Sequence, residues 1–164
     1  MGNGGAPHAG TNARMIAIAL VVVQALLVAF LWTHDWIPLG RFNDVAAVRA
    51  ADTTARLVTV TLIQSLPFTV LLALSVARLG GARVPGLTTA LWIAYSILLA
   101  GELRGWWWPY LVRPDPVRAA RYRAMFGRTH AFLPVRNGFA PNTAHVALHA
   151  GTALTLVLLA LSPR

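Results

Sequence analysis

The feature that most constrains this chain of 164 residues is a series of apolar runs, each close to twenty residues long. The first, residues 15–33, reads MIAIALVVVQALLVAFLWT and is interrupted only by Gln24. At about 1.5 Å per residue, such a run reaches across a hydrocarbon core of about 30 Å. Backbone in that core must satisfy its own hydrogen bonds, so each run is expected to be a helix. Similar runs occur at 57–77, 87–103 and 142–161. The expected fold is an all-α integral membrane protein, a four-transmembrane-helix bundle. It forms a single membrane domain over 1–164, with interfacial connections at 34–56 and 104–141. Arg14 ahead of the first run also fits a signal peptide, but the run is long and no small-x-small cleavage site comes after it, so it reads as a retained span.

The chain is 57% hydrophobic and 12% charged, against about a quarter charged in soluble domains. The net charge of +9 would suggest nucleic acid in a soluble protein. Here every basic residue is Arg, and arginines flank apolar runs where they meet anionic head groups. Membrane lipids are therefore the expected partners, and nucleic acid is not. The absence of cysteine excludes thiol catalysis, disulfides and cysteine metal sites.

Residues 1–13, rich in Gly, Ala and Asn, read as unordered. Pro38 and Gly40 break the chain after the first span, and Asn43 or Asp44 is suited to cap the next helix. No breaker lies between 45 and 66, so a helix polar at its start is expected to run straight into the second span. Pro67 frees a backbone carbonyl there, and Thr59, Thr61, Gln64, Ser65 and Thr69 can re-satisfy such groups or bind neighbouring helices. The third span is short and is expected to borrow residues 105–108 at the interface. In the third connection, Asp115, Pro116 and Gly127 delimit a short interfacial helix. Its Ala119, Tyr122 and Phe126 share a face between flanking arginines.

An even number of spans places Glu102, the start of the fourth span and the first connection on one side. His145 and His149 stand at i and i+4, on one helix face with Thr152. Glu102, His145 and His149 are the catalytic candidates: an acid and two bases at one mouth of the bundle. Glu102 either pairs with Arg104 or faces inward on a stripe with Thr88 and Tyr95. A divalent metal is the one cofactor the residues allow, with His145, His149, Glu102 and His130 as candidate ligands. Candidate substrate-binding residues are Tyr95, the run Trp106, Trp107 and Trp108, then Arg128, His130, Arg136 and Asn142. Three consecutive tryptophans point in different directions, so at least one should turn inward from the interfacial belt. Arginines of the long connection can clamp an anionic group.

The segments IPLGRFND, WWWPY and FGRTHAFLPVRNGFAPNTAHVALH together resemble a pattern in small bacterial four-span membrane proteins. The resemblance covers roughly residues 35–160. It implies a four-helix fold and carries no assigned activity, so it names no catalytic residue. Two functions fit the residues. One is binding or transforming an apolar lipid, such as an isoprenoid, quinone or sterol-like molecule, by acid–base chemistry. Isomerisation or cyclisation suits the residue types better than hydrolysis, since no nucleophile motif is visible. The other is a non-catalytic subunit, assembly factor or small transporter whose polar cluster is structural. There a small-xxx-small pair, Ala147 and Gly151, permits close helix packing, and a homo-oligomer is compatible with either reading. The expected location is the cell membrane, multi-pass, with cytoplasmic termini beside the acid-free turn at 78–86.

Overall fold

The structure is a computed structural model that describes residues 6–162, with side chains from residue 10 onward. Among the described residues every regular element is helical. In chain order they are α1 (Ala6–Thr33), α2 (Val45–Ala51), α3 (Thr54–Leu79), α4 (Leu87–Glu102), α5 (Trp108–Leu111), α6 (Pro116–Phe126) and α7 (Thr143–Leu161). A 3₁₀ turn at Gly40–Phe42 precedes α2, and a π-helical turn at Leu103–Trp107 joins α4 to α5.

Three helices are long and apolar enough to cross a membrane: α1 from Gly10, α3 and α7. Helix α4 has 16 residues, a rise of about 24 Å, short of a core of about 30 Å. Its helical path continues through the π turn and α5 to Leu111. The four long helices close a ring in which α1 packs on α3 and α7, and α4 packs on α7 and α3. The seam between α3 and α4 is the least packed of the four.

Side-chain bonds and close approach hold the other seams. Trp32 Nε1 donates to Thr69 Oγ1 and Trp36 Nε1 to Thr61 Oγ1, both at 2.9 Å, binding α1 and the turn after it to α3. Between α1 and α7, Gly151 receives Leu27 so closely that a Cβ there would lie 2.8 Å from Leu27 Cδ2. Gly151, expected to permit close helix packing, does so here against α1.

Three local expectations are corrected. Helix α1 starts at Ala6, ahead of the start expected at Met15; residues 1–5 of the expected unordered leader lie outside the described residues. The helix expected to run unbroken from 45 is interrupted at Asp52, whose backbone is extended. Asp44 caps α2 through Ala47 N at 2.9 Å, and Thr53 caps α3 through Arg56 N at 3.3 Å. Short polar side chains compete with helical backbone in this way. The freed Asp52 pairs with Arg121 of α6 at 2.5 Å and with Arg56 at 3.3 Å.

The third connection holds more than a surface helix. Helix α6 begins where expected, with Asp115 accepting from Arg118 N at 3.0 Å. Its shared face, however, is covered by protein: Ala119, Tyr110 and Phe139 form a second small core with Trp106, Trp107, Tyr122 and Leu133 around it. Arg136 and Phe139 bridge across Asn137 and Gly138, at φ 49° and 88°. Asn-Gly tolerates that left-handed turn better than any other pair. Asn137 then donates to the carbonyls of Pro109 and Tyr110, each at 3.1 Å, fastening the turn to α5. The segment is a folded cap over one end of the ring.

Candidate functional site

Beneath this cap lies a cavity of about 520 Å³. Glu102, His145 and His149 line it from α4 and α7, and His34, Asp35, Arg121 and Tyr122 from the loop after α1 and from α6. It continues along the α3–α4 seam past Ile63, Phe68 and Ile97. Ile63 and Ile97 are 69% and 68% exposed, so the cavity opens on the flank of the ring between these helices.

Sequence builds the site from helix ends. Asn142 caps α7: its Oδ1 accepts from His145 N at 3.0 Å and lies 2.6 Å from His145 Nδ1. An amide oxygen only accepts, so Nδ1 of His145 carries a proton and a neutral ring keeps its lone pair on Nε2. One turn on, Trp107 Nε1 donates to His149 Nδ1 at 3.0 Å. An indole N–H only donates, so the proton of this ring sits on Nε2. The two imidazoles therefore offer opposite Nε2 atoms, an acceptor at His145 and a donor at His149.

Glu102 ends α4 and is buried. Its Oε1 accepts from Thr152 Oγ1 at 2.9 Å, and its Oε2 has no partner among the described residues. Among the described residues no arginine pairs with it, so the alternative pairing with Arg104 does not form. Past Glu102, the wider π turn brings two successive tryptophans against α7. The Trp106 ring lies 4.1 Å from His145 and stacks at 4.3 Å on Tyr122, while Trp107 holds His149. Phe126 packs edge-on against His145 at 4.9 Å, beside Trp106.

His34 faces His145 with ring centroids 5.9 Å apart. Its Nδ1 donates to Phe30 O at 2.9 Å, and its Nε2 stands 3.3 Å from Asp35. Burial pushes the Asp35 carboxyl above the ordinary carboxylate range; His34 pulls it down and Asp52 adds to the rise. Burial likewise raises the Tyr122 phenol, against the pull of Arg118 and Arg121.

The remaining candidates lie elsewhere. Trp108 is 48% exposed on the outer surface. Arg128 pairs with Asp44 at 2.8 Å, and Arg136 is exposed at the Asn-Gly turn. His130 Nδ1 is bonded to Thr143 Oγ1 at 2.7 Å, with its ring against Phe42. Asn142 acts behind His145, and Tyr95 is fully buried two turns from Glu102, packed on Phe68 at 5.1 Å. None of these six lines the cavity.

A metal does not fit the candidate donors. Among the described residues no three His, Asp or Glu side chains converge as a ligand set. His130 is engaged outside the cavity, and the indole bond leaves His149 Nε2 protonated, so it has no lone pair to offer. The residues that sequence reasoning passed over are His34 and Asp35, while Tyr122 and Phe126 were expected only on an interfacial face and Arg121 only among the arginines able to clamp an anionic group. The signal for the first two was present, since an acid and a histidine end the first span on the same side as Glu102. Comparison with known proteins finds no family model, no curated protein and no solved structure that matches this chain.

Proposed function

We propose that this is a four-span membrane protein whose capped cavity binds an apolar lipid of isoprenoid, quinone or sterol-like type and moves protons on it. The observation that carries the reading is the path of the cavity, apolar and laterally open along α3 and α4, ending at Glu102, His145 and His149. An acyl or prenyl body would lie in the seam, with its polar end toward Arg121, His34 and Asp35. The volume falls within the usual range of about 300–1,000 Å³ for small-molecule sites. The π turn and α5 would complete α4 as the fourth span, with the termini and the acid-free turn at 78–86 in the cytoplasm.

The chemistry that suits these groups is a double-bond shift or cyclisation. Glu102 delivers a proton to one carbon as His145 Nε2 removes one from a neighbour. Proton return from the imidazolium to the carboxylate resets the pair, and His149 Nε2–H supports developing negative charge. Trp106 and Tyr122 would line the reacting end, where a ring face steadies positive charge. One observation favours the second, non-catalytic reading: both histidines already use Nδ1 structurally, His149 to hold Trp107 of the π turn and His145 to bond the cap residue of its own helix.

Two measurements separate the readings. Mass spectrometry of lipids that co-purify with the protein should find an apolar lipid retained by wild type and lost when Ile97→Trp fills the seam. Glu102→Gln should keep the lipid and the fold while turnover falls by about 10²–10⁴-fold, as for a lost catalytic acid, and His149→Asn by about 10²–10³-fold, as for a lost donor to developing charge. Structural hydrogen bonds in membranes average only about 0.6 kcal/mol. Wild-type function and lipid content in both variants would therefore leave the structural reading standing.

A further inference from the structure

A second cavity, of about 330 Å³, enters the ring from the opposite end, beside Arg78. Each long helix contributes lining to both cavities, and each has one stretch between them that lines neither. On α1 it falls between Val21 and Leu31, and on α4 between Leu91 and Ala94. On α7 it falls between His149 and Leu159. These stretches hold Gln24, Thr152 and Thr155, and Tyr95 follows directly on the one in α4 without lining either cavity; all four have no exposed surface. A partition meant only to seal would be built from leucine. This one carries an amide, a phenol and two hydroxyls.

Several of its polar atoms have no partner among the described residues. Both Gln24 side-chain atoms and the Tyr95 hydroxyl are buried without a hydrogen bond, as is Glu102 Oε2 at the cap side. Native interiors rarely leave such groups unsatisfied, because their lost hydration is not replaced. Tyr95 and Glu102 are seven residues apart on one face of α4, about 10 Å along the axis. That distance suits a short file of water molecules between a carboxylate and a phenol.

We propose that this partition passes protons between the two cavities, an activity independent of any lipid chemistry at the site beneath the cap. A phenol both donates and accepts. A proton reaching the Tyr95 oxygen from the Glu102 side is matched by departure of the phenol's own proton toward the Arg78 side, and the residue is unchanged. Gln24, donor and acceptor at once, holds the water file in register. Thr152 anchors Glu102 at its entrance, leaving Oε2 to take or release the proton.

The test uses the full chain in phospholipid vesicles with a pH-sensitive dye inside and the voltage clamped by potassium and valinomycin. After an external acid step the lumen should acidify faster than in protein-free vesicles. Tyr95→Phe should slow that flux by about a hundredfold, the lower end of what a positioned proton-transfer group contributes, and Gln24→Leu should slow it likewise. Both substitutions remove groups that have no partner, so melting in detergent should be unchanged or raised. Wild-type vesicles that acidify at the protein-free rate overturn the proposal. So does wild-type flux in folded Tyr95→Phe and Gln24→Leu.

Discussion

Two histidines on one helix, a turn apart, differ in protonated nitrogen because one meets an amide oxygen and the other an indole N–H. Asn142 does two tasks, capping α7 and orienting His145. Asn142→Ala should cost about 1 kcal/mol through the cap alone, read as a lowered melting temperature, and should release the imidazole to turn. Asn142→Asp keeps an acceptor for both bonds but loses the Nδ2 donor to Thr129 Oγ1, so it should restore only part of the loss. Asp35 gives a pH test. Its carboxyl is raised in the folded protein, so its contribution to stability is full below the unfolded value of about 3.9 and is lost as pH rises through the folded one. The melting temperature of Asp35→Asn minus that of wild type should therefore grow as pH is raised from about 4. A difference that stays flat would contradict the desolvated placement of Asp35 beside His34 and Asp52.

Helix positions were legible because they rest on local signals. Asp44, Asp115 and Asn142 each cap the helix they precede, and the apolar runs mark the four long helices. The break at Asp52 was not legible, since Thr53 caps a new helix within a run that lacks Gly and Pro, and the partner of Asp52 lies 69 residues away. The cap was hidden for the same reason: its small core joins Tyr110, Ala119 and Phe139 across the whole connection. The Asn-Gly turn went unread, and what it fastens, the carbonyls of Pro109 and Tyr110, lies 28 and 27 residues away. At the α1–α7 seam, Gly151→Ala pushes only the tip of Leu27 while gaining helix propensity of about 1 kcal/mol, so its stability should change little. Gly151→Ile should overpack the seam and cost about 1–3 kcal/mol, measurable by thermal unfolding in detergent.

Over the whole molecule, the topology places Glu102, His145 and the end of α1 at the same end of the ring, and counting apolar runs was enough to expect this. What counting could not supply is which side chains turn inward, because that depends on the π turn and on contacts among distant elements. The cysteine-free chain makes the arrangement testable in cells. Gly80→Cys and Arg136→Cys stand on opposite sides of α4. An impermeant maleimide should label the second from outside and spare the first. The reverse pattern would invert the assigned orientation, and equal labelling would mean that α4 does not cross. The π turn at Leu103–Trp107 carries one residue more than an α-helical path of the same height. Deleting one residue of the turn, Gly105, would return the segment to ordinary helix at nearly the same height and phase, so α5 and the cap beyond it would keep their places. The change would be confined to the widened turn itself, the stretch from which Trp106 and Trp107 both reach α7. Both imidazole environments thus hang on one inserted residue whose removal the rest of the fold would hardly register.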